Sequence, residues 1–171
     1  MGNKFKVRKS KIEGYGIYCS IPILKGELIC KFQGEEITIG ELKKRYEKGK
    51  ERSTDPLQVK DTRYLDLVKP YVYFNHSCNP NTAVIHYGDL IALRDIKIGE
   101  EITYDYSATD WSCESYWIGY LDYWTMKCNC KFSKCRKIIR EWSFMAKTWQ
   151  KKYINERLVQ DYILKKYKKN P

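Results

Sequence analysis

Asn75-His76-Ser77-Cys78-Asn79-Pro80-Asn81 packs polar side chains into seven residues directly after the apolar run Tyr71-Val72-Tyr73-Phe74. Taken alone, the stretch reads as a turn held by Asx hydrogen bonds around a hydrogen-bonded histidine. Further on, Gly99-Glu100-Glu101-Ile102-Thr103-Tyr104-Asp105-Tyr106 reads, by itself, as a turn leading into an edge strand. Between them, Val84 to Leu93 alternates around Tyr87-Gly88-Asp89, a hairpin pattern that runs on into Ile96 to Gly99. Upstream, short apolar or alternating segments broken by glycines (Phe5-Lys6-Val7, Gly14-Tyr15-Gly16-Ile17-Tyr18 and Leu28-Ile29-Cys30-Lys31-Phe32) predict strands and tight turns.

Glu41 to Arg52 is charged and rich in helix formers, which predicts a short exposed helix, and Tyr64-Leu65-Asp66-Leu67-Val68 predicts one strand within the polar stretch from Ser53 to Lys69. Helical spacing of Trp142, Met145, Trp149, Tyr153, Leu158, Tyr162 and Ile163 predicts helix from Ile138 to Tyr167. The expected architecture is mainly β with α, strands first and helices last. At 171 residues, 43% of them hydrophobic, one domain with a sizeable core is expected. Ser107 to Met126 is rich in rings, and Trp111, Trp117, Tyr120, Tyr123 and Trp124 either line a channel or pack the helices, core packing being the default for large aromatics.

The 32 Lys and Arg against 21 Asp and Glu leave a formal charge of +11. Contact with nucleic acid, a nucleosome surface or anionic lipid is electrostatically plausible; a solvated basic surface accounts for it equally well, since much of the excess sits in Lys4 to Lys11 and Lys165 to Lys169. A basic surface does not steer a basic peptide toward itself. No apolar run of about 18 residues and no signal-peptide pattern occurs, so neither a membrane partner nor export is expected, and an intracellular location is. Seven cysteines, three of them clustered, fit a reducing compartment better than a disulfide framework.

Cys128, Cys130 and Cys135 are spaced so that three thiolates can converge on one zinc ion, which prefers tetrahedral sulfur coordination. A fourth ligand must come from elsewhere, and Cys78 stands out because it lies in a loop beside Pro80. Three incidental thiols or a redox group are the competing readings. Cys19, Cys30 and Cys113 read as ordinary thiols that behave as small hydrophobes.

Taken together and in this order, Gly14-Tyr15-Gly16, the segments at 75–81 and 99–106, and the cysteines at 128, 130 and 135 resemble the SET family of protein lysine methyltransferases, over roughly residues 5 to 138. Lys25-Gly26-Glu27 and Gly34-Glu35-Glu36-Ile37 sit where the family places its early strand turns. The resemblance implies a SET-type fold of several small β sheets with a pseudo-knot, a zinc-bound post-SET segment and C-terminal helices. It divides the chain into a SET domain at 1–126, a zinc segment at 127–140 and a helical extension at 141–171.

It further implies S-adenosylmethionine as cofactor, S-adenosylhomocysteine as product and a structural zinc ion. Gly14, Tyr15, Gly16, Asn75, His76 and Tyr106 would hold the cofactor, and Cys78, Cys128, Cys130 and Cys135 the zinc. Tyr106 would be the catalytic tyrosine, with Tyr104 limiting how many methyl groups are added, so that mono- or dimethylation is expected. The implied partner is a protein presenting lysine, such as a histone or nucleosome, met by a monomer in the cytoplasm or nucleus, or in a host cell if the chain is an exported effector. A catalytically weak module that binds nucleic acid or a protein is the alternative. This sequence departs from the family pattern at Phe32, where many relatives have Tyr; at Val72, where Arg is frequent; and at Lys131 and Lys137, where glycines are usual.

Overall fold

The computed structural model describes residues 4–49, 55–111 and 125–169. Its frame is three small antiparallel sheets. The first pairs β1 (Phe5–Lys9) with β2 (Tyr15–Cys19), and β9 (Glu101–Ile102) joins the other edge of β2. The second runs β3 (Leu28–Lys31), β8 (Asp89–Ala92), β7 (Thr82–Ile85), in that spatial order. The third runs β4 (Gly34–Thr38), β6 (Arg63–Leu67), β5 (Leu57–Lys60), and continues from β4 into α1 (Ile39–Glu47), whose first turn is capped by Thr38 Oγ1 accepting from Glu41 N–H at 3.1 Å.

Each sheet turns one face inward, as its alternation requires. Ile17, Ile23, Leu90, Ile96 and Ile102 are at most 1% exposed. Around them the Phe74 ring meets Phe5 at 5.4 Å and Phe32 at 5.3 Å, edge to face in both cases.

The expected strands at 5–7, 15–18 and 28–32 are present, as is the hairpin, with His86-Tyr87-Gly88 turning between β7 and β8. Other expectations need correction. The single strand at 64–68 is one arm of a hairpin whose partner, β5, starts one residue after Pro56; Leu57 and Val59 point inward, and Asp61-Thr62 makes the turn. Gly34 lies in a strand rather than a turn, where an added Cβ would run into the Asp66 carbonyl of β6. The helix near 41–52 starts earlier, at Ile39, and ends at Glu47; Arg52, Cys113, Trp117, Tyr120, Tyr123 and Trp124 lie outside the described residues.

The segment at 101–106 is an edge strand only as far as Ile102. From there the chain leaves β2 and runs parallel to residues 75–77. Tyr104 N–H donates to the Asn75 carbonyl at 3.3 Å and Ser77 N–H to the Tyr104 carbonyl at 3.1 Å, a bridge that pairs His76 with Tyr104. Asn81 Nδ2 then reaches the Glu101 carbonyl at 2.8 Å, while its Oδ1 accepts from Thr103 N–H at 2.9 Å. This is the crossing that a pseudo-knot requires.

The C-terminal part holds the expected helices, which begin later than Ile138. A short ribbon joins β10 (Met126–Lys127) to β11 (Ile138–Ile139), and a 3-10 turn at Trp142–Phe144 leads into α2 (Lys147–Asn155) and α3 (Asp161–Lys169), with Arg157 at φ 54° in the bend between them. These helices share a second core, in which Trp142 stacks on Trp111 at 6.3 Å and meets Tyr153 at 6.5 Å. Trp111 is therefore a packing residue, as large rings are by default. Gln160 Nε2 donates to the Gln58 carbonyl at 2.7 Å and Tyr162 Oη to the Thr109 carbonyl at 2.8 Å, which fixes the helices to the sheet domain. Trp142 is 1% exposed and joins both halves of this core. Trp142→Ala is expected to cost about 3–5 kcal/mol of stability, measured by urea denaturation followed by circular dichroism.

Candidate active site and metal centre

The crossing delivers Cys78 to the zinc segment. The Sγ atoms of Cys78, Cys128, Cys130 and Cys135 all lie within 4.8 Å of one another, with Cys78 at 3.7 Å from Cys128 and 3.9 Å from Cys135. A tetrahedral zinc ion with Zn–S of about 2.3 Å sets its sulfurs about 3.8 Å apart, so these spacings fit the ion. Backbone N–H groups point at the sulfurs as they do toward thiolates: Arg136 to Cys78 at 3.4 Å and Lys137 to Cys135 at 3.3 Å. Burial first, and then the neighbouring Cys130, push the Cys78 thiol up. Four cysteine sulfurs this close can hold one divalent cation once they ionise.

Lys131 and Lys137, which stand where glycines are usual, take φ of 57° and 65°. The loop keeps the left-handed backbone and carries its steric cost. The Cys128 N–H to Lys137 carbonyl bond at 2.7 Å shows why it must: it closes the loop that carries Cys128, Cys130 and Cys135.

Beside the metal centre is a cleft of about 210 Å³. Glu13, Asn75, His76 and Tyr106 form one wall, and Met126 and Asn129 from the zinc segment form the other. Asn129 Nδ2 donates to Glu13 Oε2 at 3.2 Å across the rim. Asn75 Nδ2 lies 2.9 Å from the Tyr15 carbonyl, 3.2 Å from the Glu13 carbonyl and 2.9 Å from Glu101 Oε1, so its donor side is spent on the protein and Oδ1 is left to accept.

Of the residues expected at a cofactor site, Asn75, His76 and Tyr106 line the cleft, whereas Gly14, Tyr15 and Gly16 do not; Ile12 and Glu13 take that position. The glycines shape the loop instead. Gly14 has φ 43°, and a Cβ on Gly16 would strike Glu101 Oε1. Glu101 is the residue that sequence reading missed here. Its carboxylate accepts from Ser10 Oγ at 2.7 Å, Tyr18 Oη at 3.1 Å and Asn75, tying the loop, β2 and the cleft together.

Tyr106 belongs to both the cleft and a cluster of rings. Its ring lies 4.8 Å from Tyr104, which meets Phe32 at 5.6 Å, and Phe32 meets Tyr71 at 6.0 Å. Its hydroxyl donates to the Phe74 carbonyl at 2.8 Å, so toward any further group that oxygen can only accept. Tyr106 N–H donates to His76 Nδ1 at 3.2 Å, which assigns the ring proton to Nε2, 3.4 Å from Cys78 Sγ. Burial pushes His76 down to about 4, so the ring is neutral at pH 7. Burial likewise pushes Tyr104 far up, which keeps its phenol protonated.

Asp105, Arg136 and Tyr153 were not expected at the site. Asp105 is 5% exposed between the two tyrosines, and it accepts from Arg136 Nη2 at 2.6 Å and Tyr153 Oη at 3.1 Å. The partners lie 31 and 48 residues away in sequence, and no short motif could have announced them.

Comparison with known proteins agrees with this arrangement. The family model described as SET domain matches residues 14–107. The chain is 37% identical over 119 residues to the variant-silencing SET domain-containing protein of Plasmodium falciparum, covering 60% of this chain and 5% of that protein. It is 29% identical over 154 residues to the probable histone-lysine N-methyltransferase set-23 of Caenorhabditis briggsae, covering 80% of this chain and 60% of that one. The chain thus spans less than two thirds of either relative. Among solved structures, a chain of a humanized mutant of the Chaetomium thermophilum Polycomb Repressive Complex 2 bound to the inhibitor GSK126 superimposes with a TM-score of 0.52 at 22% identity, over 64% of this chain and 15% of that chain.

Elemental analysis is expected to find one zinc ion per chain, with Cys78→Ser lowering metal content and melting temperature together. Lys131→Gly and Lys137→Gly relieve a left-handed strain of about 1–2 kcal/mol against about 0.4–1 kcal/mol of added unfolded-state entropy. Each is expected to raise the melting temperature by about 2 °C, read by calorimetry.

Proposed function

The chain belongs to the SET-domain family, and from that premise we propose that it transfers methyl groups from S-adenosylmethionine to a lysine side chain of a protein, releasing S-adenosylhomocysteine. The observation that carries this reading is Tyr106, which among the described residues is the one common to the cleft and the aromatic cluster. The cleft is the cofactor site, and the cluster is the lysine channel. Histones are the first substrate class to test, because the Caenorhabditis briggsae relative carries histone-lysine methyltransferase in its name.

In this mechanism S-adenosylmethionine supplies an electrophilic sulfonium methyl, and the protein supplies alignment and a neutral amine. The lysine nitrogen forms its new bond to carbon as the carbon–sulfur bond breaks, and the amine proton leaves to solvent. Asn75, with Oδ1 left to accept, would hold the cofactor's ammonium group. Phe32, Tyr71 and Tyr104 exclude water around the lysine, which disfavours its charged form and lowers a pKa that is about 10.4 in water. The Tyr106 oxygen, its own hydrogen committed to Phe74, accepts from the amine N–H and orients the lone pair. It also meets the polarised methyl hydrogens through weak C–H···O contacts.

The Tyr104 hydroxyl at the channel end holds a water and leaves too little room for the bulkier product, which favours mono- or dimethylation. Cys78, Cys128, Cys130 and Cys135 hold a structural zinc ion that keeps Met126 and Asn129 against the cleft. The chain divides into a SET domain at 1–126, a zinc segment at 127–140 and a helical extension at 141–171. A second role, contact with nucleic acid, is favoured by the exposed Lys6, Arg8 and Lys9 of β1 and Lys165, Lys168 and Lys169 of α3. Its test is a salt-dependent shift of duplex DNA.

With labelled S-adenosylmethionine and a panel of histones, label on one histone is expected, and Tyr106→Phe should reduce kcat by about 10²-fold or more. An absence of label on every protein, with calorimetry showing cofactor binding, would favour the module without catalysis. Mass spectrometry should find mono- and dimethyl-lysine from the unaltered protein and trimethyl-lysine from Tyr104→Phe; efficient trimethylation by the unaltered protein would sink the role given to Tyr104.

A further inference from the structure

We infer that Tyr153, on α2 in the helical extension, is a positioning residue of the active site that holds the Tyr104-Asp105-Tyr106 turn through Asp105; this rests on the methyltransferase reading above. Asp105 is the N-cap of the 3-10 turn that begins at Tyr106. Its Oδ1 accepts from Ser107 N–H at 3.1 Å and from Arg136 Nη2 at 2.6 Å, and its Oδ2 accepts from Tyr153 Oη at 3.1 Å. Asp105 and Tyr153 are each 5% exposed, so the carboxylate depends on protein donors.

The donors do different things. Arg136 supplies the countercharge and is itself anchored beside the metal centre, where its N–H points at Cys78 Sγ and its Nη1 donates to Ser107 Oγ at 3.2 Å. Arg136 and Ser107 together hold only one oxygen. A carboxylate held at one oxygen can still turn about its terminal torsion, which has a broad minimum. Tyr153 takes the other oxygen and fixes the plane, and with it the direction of the cap bond to Ser107. Tyr106 is the first residue of the turn so capped, and the same residue's N–H is bonded to His76. An error at the cap is therefore passed to the phenol that must meet the reacting amine, where about 1 Å of misplacement costs on the order of 10²-fold in rate.

Tyr153 can do this because its ring is locked independently. It packs on Trp142 in the second core, so the hydroxyl is presented by the extension and not by the sheet domain. The helices after the zinc segment thereby reach the reacting groups through one hydrogen bond.

The test is Tyr153→Phe, which removes the hydroxyl and keeps the ring, with Tyr167→Phe, another ring against Trp142, as the control. Four quantities are read: kcat and KM on a histone peptide, S-adenosylhomocysteine affinity by calorimetry, zinc content, and the fluorine resonance of Tyr106 in 3-fluorotyrosine protein, assigned by its loss in Tyr106→Phe. Tyr153→Phe is expected to lower kcat roughly tenfold, a fraction of the loss from full misplacement. Cofactor affinity and zinc content should hold, and the Tyr106 resonance should move. Asp105→Asn should lower kcat as well, and adding Tyr153→Phe to it should lower kcat no further.

The inference is overturned if Tyr153→Phe keeps kcat within about twofold with the resonance unmoved, or if kcat, cofactor affinity and zinc content fall together, as general loosening would make them do. If the unaltered protein methylates nothing, the functional reading fails on its own account. The fluorine resonance then still decides whether Tyr153 positions Tyr106.

Discussion

Two backbone hydrogen bonds between residues 75–77 and Tyr104 hold this structure's chemistry in one place. They set two segments that are about 28 residues apart side by side, with Asn75 lining the cleft, Cys78 beside the other clustered cysteines, and Tyr104 and Tyr106 in the aromatic cluster. The bonds have to form in the core, because Phe74 and Ile102 flank the crossing at 1% and 0% exposure and shield it from water. Loosening the crossing would undo cleft, channel and metal centre together. The Asn81 side chain reinforces it from beyond the turn by bonding both the Glu101 carbonyl and Thr103 N–H.

The same geometry makes the zinc segment part of the site. Cys78 lies two residues after His76, and His76 accepts the Tyr106 N–H, so the metal centre and the catalytic turn share a short, rigid stretch of chain. On the other side, Met126 and Asn129 complete the cleft wall, and Asn129 reaches across to Glu13.

Much of this was legible in the sequence, and the limits follow from how information is written in a chain. The segments at 75–81 and 99–106 are local and their residue types are specific, so the resemblance to the family could be read from them. The hairpin before Leu67 could not, because Asp61-Thr62 is not one of the dipeptides that mark a two-residue turn and Pro56 looks like a breaker although it only precedes a strand. The helical spacing near the C-terminus did not mark where the bend at Arg157 falls, since the apolar spacing continues across it. One packing reason for Gly16 could not be read: Glu101 sits against it, a contact across β2 and β9 that no spacing encodes. Asp105 lay in plain view between two tyrosines, yet its partners are visible only once the chain is folded.

In the methyltransferase reading proposed above, charge and aromatic character would divide the work of recognising a lysine. The exposed carboxylates are largely engaged already: Arg45 pairs with Glu35, Glu41 and Asp66, Arg94 with Glu100, Lys166 with Asp61, and His86 with Asp161. A basic tail therefore finds little long-range attraction on a surface that is itself positive. Discrimination has to come from the channel, and there Phe32 matters, since it contributes a bare ring where many relatives place a hydroxyl. Losing that hydroxyl removes a polar contact for the amine, but it also makes the channel more apolar, which disfavours the charged lysine and raises the share of reactive neutral amine. With Phe32 apolar, the hydroxyls of Tyr104 and Tyr106 carry the polar contacts at the channel end. In that reading the accuracy of their turn, held from three directions at Asp105, would bear directly on the reaction.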